Sequence, residues 1–200
     1  MAKPLIFTPG AARVAFYAVA LAWLVFEAVM RTVQRLRAGH RTPLSLQDPS
    51  SAVIGSALAG SVILSQVLGR HGALLWPGGR LWPVIAGIVL IVLGAGIRAW
   101  AIASLGRFFQ YQIEIQSGHH VVTSGPYRLV RHPSYTGITL AIIGFALGCG
   151  DVYGLLATVV LAAVGLTARI RAEERQLAEA LGREYQDFAG HRKRLIPGVW

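Results

Sequence analysis

Four stretches of the chain run almost without charge: Val14 to Met30, Ala52 to Leu68, Leu81 to Ile97, and Ile138 to Thr167. They hardly show the polar stripe of a helix on a soluble surface. A bilayer core takes roughly 20 apolar residues of helix, so each of the first three predicts one membrane span. The fourth holds thirty residues and one charge, Asp151, inside the run GCGDVYG at Gly148 to Gly154. Those glycines predict a tight hairpin of two spans, which gain length from Ser134 to Gly137 and from Ala168 onward. The expected fold is all-α, a polytopic integral membrane protein of about five transmembrane helices.

The polar segments divide the rest. Arg31 to Ser51, with Pro43 and Pro49, reads as a loop. Ser104 to Pro133 is a long connector. Its alternation over Gln110 to Gln116 does not read as helix, and Gly118, Gly125, Pro126 and Pro133 punctuate it as turns. Beyond Thr167 the last span continues as a charged helix. Gly182 and Gly190 break that helix, and Leu195 to Trp200 forms an apolar end. Residues 1–103 are therefore expected to be a three-span membrane region, and residues 104–200 to carry the chemistry.

Composition agrees with a membrane protein: 54% of residues are hydrophobic and 14% charged, against about 25% charged in soluble domains. A net charge of +10 could point to nucleic acid, but its placement does not. Fifteen of the nineteen basic residues follow or end the first, third or fifth span, leaving Lys3, Arg13, Arg70 and Arg80 for the other side. The positive-inside rule then puts the N-terminus outside and the C-terminus in the cytoplasm. Anionic lipid headgroups account for the basic excess, so the expected partner is the bilayer and not nucleic acid. Seventeen arginines against two lysines, with abundant Ala and Gly, suggest a GC-rich bacterial genome and hence a bacterial inner membrane. Cys149 is alone, so no disulfide is expected. Met1 to Gly10 lacks the form of a secretory signal, and the first span is expected to be retained.

Several motifs carry no chemistry. Gly94, Gly96 and Ala99 match GxGxxA, but inside an apolar span with no preceding strand. Small residues for close helix packing are the better reading, as for Gly144 and Gly148. His119, His120 and His132 lack acidic or cysteine neighbours at ligand spacing apart from Glu114, so no metal is expected. A serine hydrolase lacks its GxSxG.

The stretch SGPYRLVRHPSYTG, Ser124 to Gly137, is polar and rigid between apolar runs. Pro126 fixes a turn before Tyr127, and Pro133 starts the next helix. The N–H groups at that helix start suit an anion, while Tyr127, His132 and Tyr135 add donors and aromatic surface. The combination reads as a cradle for a ligand with carboxylate and flat apolar parts. Arg169 and Glu173, four residues apart, share one helix face where the last span leaves the bilayer. The hairpin brings them to the start of the fourth span. Charges at such a mouth point to function.

GHHVVTSGPYRLVRHPSYTG, then RIRAEERQLAEALGREYQDF and RLIPGVW, resemble the isoprenylcysteine carboxyl methyltransferase family over Phe108 to Trp200. The resemblance implies an S-adenosyl-L-methionine-dependent methyltransferase, releasing S-adenosyl-L-homocysteine, with a cofactor pocket at the cytoplasmic face closed by the C-terminal tail. It implies cofactor contacts from Gln112, His119, His120, Val121, Val122, Tyr127, His132, Pro133, Ser134, Tyr135 and Glu173, and cover from Leu195, Ile196 and Pro197. His120 stands where the family varies. Arg169 matches the acceptor-contacting arginine, and Arg131 is a second candidate for reaching an anionic acceptor. The implied acceptor is a lipophilic or lipidated carboxylate, which is already ionised and needs no general base. Methylation of a phospholipid or quinone-type acceptor stays open at this point, as does a non-catalytic binding or transport role.

Overall fold

The computed structural model describes residues 3–37, 49–72, 74–77, 79–106 and 121–200. Among them the longer elements are helices: α1 (Ala11–Arg37), α2 (Pro49–His71), α3 (Leu81–Leu105), α4 (Pro133–Gly148), α5 (Val152–Leu181) and α6 (Arg183–Gly190). Short 3-10 turns occupy Leu5–Phe7 and Gly125–Arg128. By length and composition α1, α2, α3 and α5 can cross a membrane, and α4 is a shorter apolar helix. At 1.5 Å per residue α4 is about 24 Å long, less than a hydrocarbon core of ~30 Å. α5 reaches about 45 Å, so its final turns stand beyond the core. Leu21, Val92, Leu93, Val160 and Val164 are exposed on the helix surfaces, as lipid contact requires.

Two boundaries differ from the sequence reading. α1 runs on to Arg37, because no proline or glycine interrupts the charged turns after Met30; the rest of the expected loop, 38–48, lies outside the described residues. α3 runs on to Leu105, so Arg98 is an interior helix residue, 3% exposed. It is not one of the basic residues facing lipid headgroups.

The tight turn Cys149–Asp151 joins α4 to α5, yet each packs chiefly elsewhere: α4 on α3, and α5 on α2. Glycines explain the first pairing. A Cβ on Gly87 would meet the Gly144 carbonyl at 2.5 Å, and one on Gly137 would meet the Gly94 carbonyl at 2.5 Å. The backbones are thus in direct contact. Gly96 faces open space instead. Hydroxyls join the second pair, where buried Ser65 Oγ lies 2.8 Å from Thr158 Oγ1. Asp151 is fully buried in the turn. It accepts from Gly154 N at 3.0 Å, capping α5, and from Leu74 N at 2.9 Å, tying the α2–α3 connection to the turn. A core of Phe16, Trp23, Ile91, Ile142 and Phe145 joins α1, α3 and α4. These contacts bring the end of α3, the start of α4 and the extension of α5 together.

Candidate active site

Gly125 has φ +57, and a Cβ there would collide with Ser104 at the end of α3. The turn Gly125–Arg128 therefore lies directly on α3 and buries Tyr127. Burial, with the charge of Glu173, pushes the Tyr127 phenol well above its ordinary value. It remains a protonated donor at neutral pH. Pro133 then opens α4, which needs no N–H at that position.

The C-terminal tail is bound along this connector. Arg131 N donates to Lys193 O at 2.8 Å, His132 N to Arg194 O at 3.0 Å, and Thr136 Oγ1 to Leu195 O at 2.9 Å. Leu195 is buried in a cluster with Ala162, Leu166 and Ile170, beside Tyr135 and Ile138. Leu195 N and Ile196 N both donate to Trp200 O at 2.7 Å, which closes the end into a loop. Ile196 and Pro197 remain exposed.

Two adjacent glutamates on α5 organise the polar groups. Tyr135 Oη donates to Glu173 Oε2 at 2.7 Å and accepts from Arg169 Nε at 3.1 Å. The phenol thus bridges the two residues that the i, i+4 spacing places on one face. His132 Nδ1 is 3.9 Å from Glu173 Oε1. Glu174 receives Arg131 Nη1 at 2.9 Å, His132 Nε2 at 3.2 Å and Arg194 Nη2 at 2.8 Å. The bond to Glu174 raises the pKa of Arg194 further. Ser134 Oγ accepts from Arg98 Nη1 at 2.6 Å.

The structure therefore brings Arg131, His132, Pro133, Ser134, Tyr135, Arg169, Glu173 and Leu195 together, with Tyr127 in the turn just before. Val121 is tied to α6, its N–H donating to Glu184 Oε1 at 2.8 Å, and Val122 is half-buried. Gln112, His119 and His120 lie outside the described residues. Sequence reasoning missed Glu174, whose signal was its place beside Glu173, and Arg194, whose partner lies twenty residues away. It also missed the pairing of Glu27 with Arg98. Glu27 was the lone acid in an apolar run, and that was the available signal. A cavity lined by Lys3, Arg13 and Arg70 opens near the start of α1 and the end of α2, remote from these groups.

Arg131 Nε and Tyr185 Oη are buried and meet no well-formed hydrogen-bond partner among the described residues, although the two side chains lie beside each other. Donors left this way favour a polar ligand. Around them stand carboxylates able to face a cation and guanidinium groups able to face an anion. Such a set can hold a zwitterion and orient a carboxylate.

Comparison with known proteins identifies the family. The model of the isoprenylcysteine carboxyl methyltransferase (ICMT) family matches residues 87–179. A probable protein-S-isoprenylcysteine O-methyltransferase of Oryza sativa subsp. indica is 35% identical over 106 residues, 52% of this chain and 55% of the relative. The chain thus spans about half the length of that relative. Protein-S-isoprenylcysteine O-methyltransferase B of Arabidopsis thaliana is 30% identical over 154 residues, 75% of this chain and 77% of the relative. The solved structure of the eukaryotic intramembrane Ras methyltransferase ICMT shares the fold, with a TM-score of 0.64 at 22% identity, over 95% of this chain and 69% of that one. An all-helical membrane fold, a family model lying across the polar cluster, and a plant relative matched over most of its length lead to one conclusion: the chain belongs to the isoprenylcysteine carboxyl methyltransferase family.

Proposed function

We propose that this protein transfers a methyl group from S-adenosyl-L-methionine to the carboxylate of an isoprenylcysteine-type acceptor at the cytoplasmic face of a bacterial inner membrane. The observation that carries the proposal is the line Arg169–Tyr135–Glu173, in which one phenol holds a guanidinium and a carboxylate side by side. The names of the relatives supply the acceptor class.

The residues fit the cofactor. Its sulfonium and ammonium are cations, suited to Glu173, and its carboxylate suits the Arg131 guanidinium; the head of α4 does not serve, because His132 N is bonded to Arg194 O and the N–H groups of Tyr135 and Thr136 to His132 O. Tyr127, His132, Pro133, Ser134, Val121 and Val122 would line the cradle, with Gln112, His119 and His120 from the connector. Leu195, Ile196 and Pro197 would cover it. When bound, the cofactor supplies an electrophilic methyl group. The chain's own task is to align the acceptor and exclude water. Arg169 orients the acceptor carboxylate, because a guanidinium can hold one oxygen while the other stays available. Tyr135 holds Arg169 in register with Glu173. Arg131 is committed to Glu174, which favours a role in holding the cradle over one in reaching the acceptor.

Calorimetric titration with S-adenosyl-L-homocysteine tests the cradle. His132→Ala and Glu173→Ala should each weaken binding by about tenfold to a hundredfold, the value of a hydrogen bond to a charged group. Unchanged affinity in both variants would remove the site.

A further inference from the structure

Two charged residues outside the Arg169–Tyr135–Glu173 line are buried among the membrane helices. Glu27 in α1 is 9% exposed and Arg98 in α3 is 3% exposed. Arg98 grips both carboxylate oxygens of Glu27, through Nε to Oε1 and through Nη2 to Oε2 at 2.9 Å. Its Nη1 turns to α4 and donates to Ser134 Oγ at 2.6 Å and to the Ser134 carbonyl at 3.3 Å. Ser134 is itself buried and stands between His132 and Tyr135 in the first turn of α4.

A charge among apolar helices is costly unless paired. A bidentate grip fixes the plane of the guanidinium as well as its position. The direction of the Nη1 donor toward Ser134 is therefore set by Glu27, from α1. Helix association alone would be served by the Glu27–Arg98 pair without this third contact.

We propose that Glu27 and Arg98 are positioning residues for the methyl-donor cradle. Glu27 fixes Arg98, Arg98 fixes Ser134, and the first turn of α4 is thereby held where His132 and Tyr135 meet the two α5 glutamates. This rests on the methyl-donor reading of the cradle. It makes the N-terminal spans part of the functional unit, although the recognisable motifs all lie after residue 104.

A double-mutant cycle on the full chain in lipid nanodiscs tests the chain of contacts, with S-adenosyl-L-homocysteine affinity as the readout. Glu27→Gln and Ser134→Ala should each weaken binding by about tenfold. The double variant should stay within about twofold of the weaker single variant, since both cut one path. Losses that multiply, or unchanged affinity in Glu27→Gln, would overturn the proposal. Hydrogen exchange without ligand gives the second readout. Amides of residues 135–139 should exchange faster in Glu27→Gln and in Arg98→Lys, while those of residues 158–166 in the α2–α5 pair stay as in the wild type. Acceleration spread evenly over both helix pairs would mean that the ion pair only stabilises the fold. If the wild type binds no S-adenosyl-L-homocysteine, the methyl-donor reading fails and the exchange pattern alone decides the positioning. Arg98→Lys keeps the charge and serves if Glu27→Gln does not accumulate.

Discussion

Tyr135 places one hydroxyl between a cation and an anion, donating to Glu173 and accepting from Arg169. A lysine at position 169 would keep the charge and lose the planar two-bond fork. Arg169→Lys should therefore lower turnover at least tenfold, about 1.4 kcal/mol of barrier, with S-adenosyl-L-homocysteine affinity near wild type. Normal turnover in that variant would make Arg169 a structural residue and remove the main support for a carboxylate acceptor. At this scale legibility followed distance along the chain. Arg169 and Glu173 were visible because helix geometry alone puts residues four apart on one face. The role of Glu174 depends on Arg131, His132 and Arg194, which only the folded chain brings together.

Between elements, backbone contact and the bound tail decide how the site is held. Gly94 and Gly137 sit where α3 and α4 touch, while Gly96 faces open space. Gly94→Ala should lower stability by about 1–3 kcal/mol, the range for overpacking, and Gly96→Ala should leave it nearly unchanged. Thermal unfolding of the two variants in detergent compares them, and equal effects would contradict the packing described. The small-residue pattern was legible as a packing signal. Which glycine faces the neighbour was not, because that depends on how far each helix is rotated. The same limit hid the pairing of α4 with α3 and of α5 with α2, since the short turn at Cys149–Asp151 suggested that α4 and α5 pack on each other. The tail was legible as an apolar end with nothing of its own to cover. Its place is set by three carbonyls, at Lys193, Arg194 and Leu195, that accept from the start of α4 and the residues before it. Deleting Leu195 to Trp200 should abolish transfer while the protein still folds in the membrane. Full turnover by the truncated chain would show that the tail is dispensable.

For the whole molecule the proposed orientation rests on the arginine distribution. Arg98 and Arg169 are both buried, so neither counts toward a headgroup-facing excess, and the basic residues that the sequence assigns to the side of the polar cluster still outnumber Lys3, Arg13, Arg70 and Arg80. Cysteines placed at Arg80 and Asp187 should label from opposite sides of the membrane, Asp187→Cys from the cytoplasm. Labelling of both from one side would contradict a five-span arrangement. The spans themselves were legible because bilayer thickness fixes their length. The part played by α1 was not, because a lone glutamate does not say which helix carries its arginine. The bond that the transfer makes distinguishes a carboxylate acceptor from the others. Purified protein in liposomes should be given methyl-labelled S-adenosyl-L-methionine and S-farnesylcysteine. Label should appear in the lipophilic product and be released by alkali as methanol, the mark of a carboxyl methyl ester. Label that withstands alkali would place the methyl on nitrogen or in an ether and not in an ester, and no transfer with S-adenosyl-L-homocysteine binding intact would contradict the proposed acceptor.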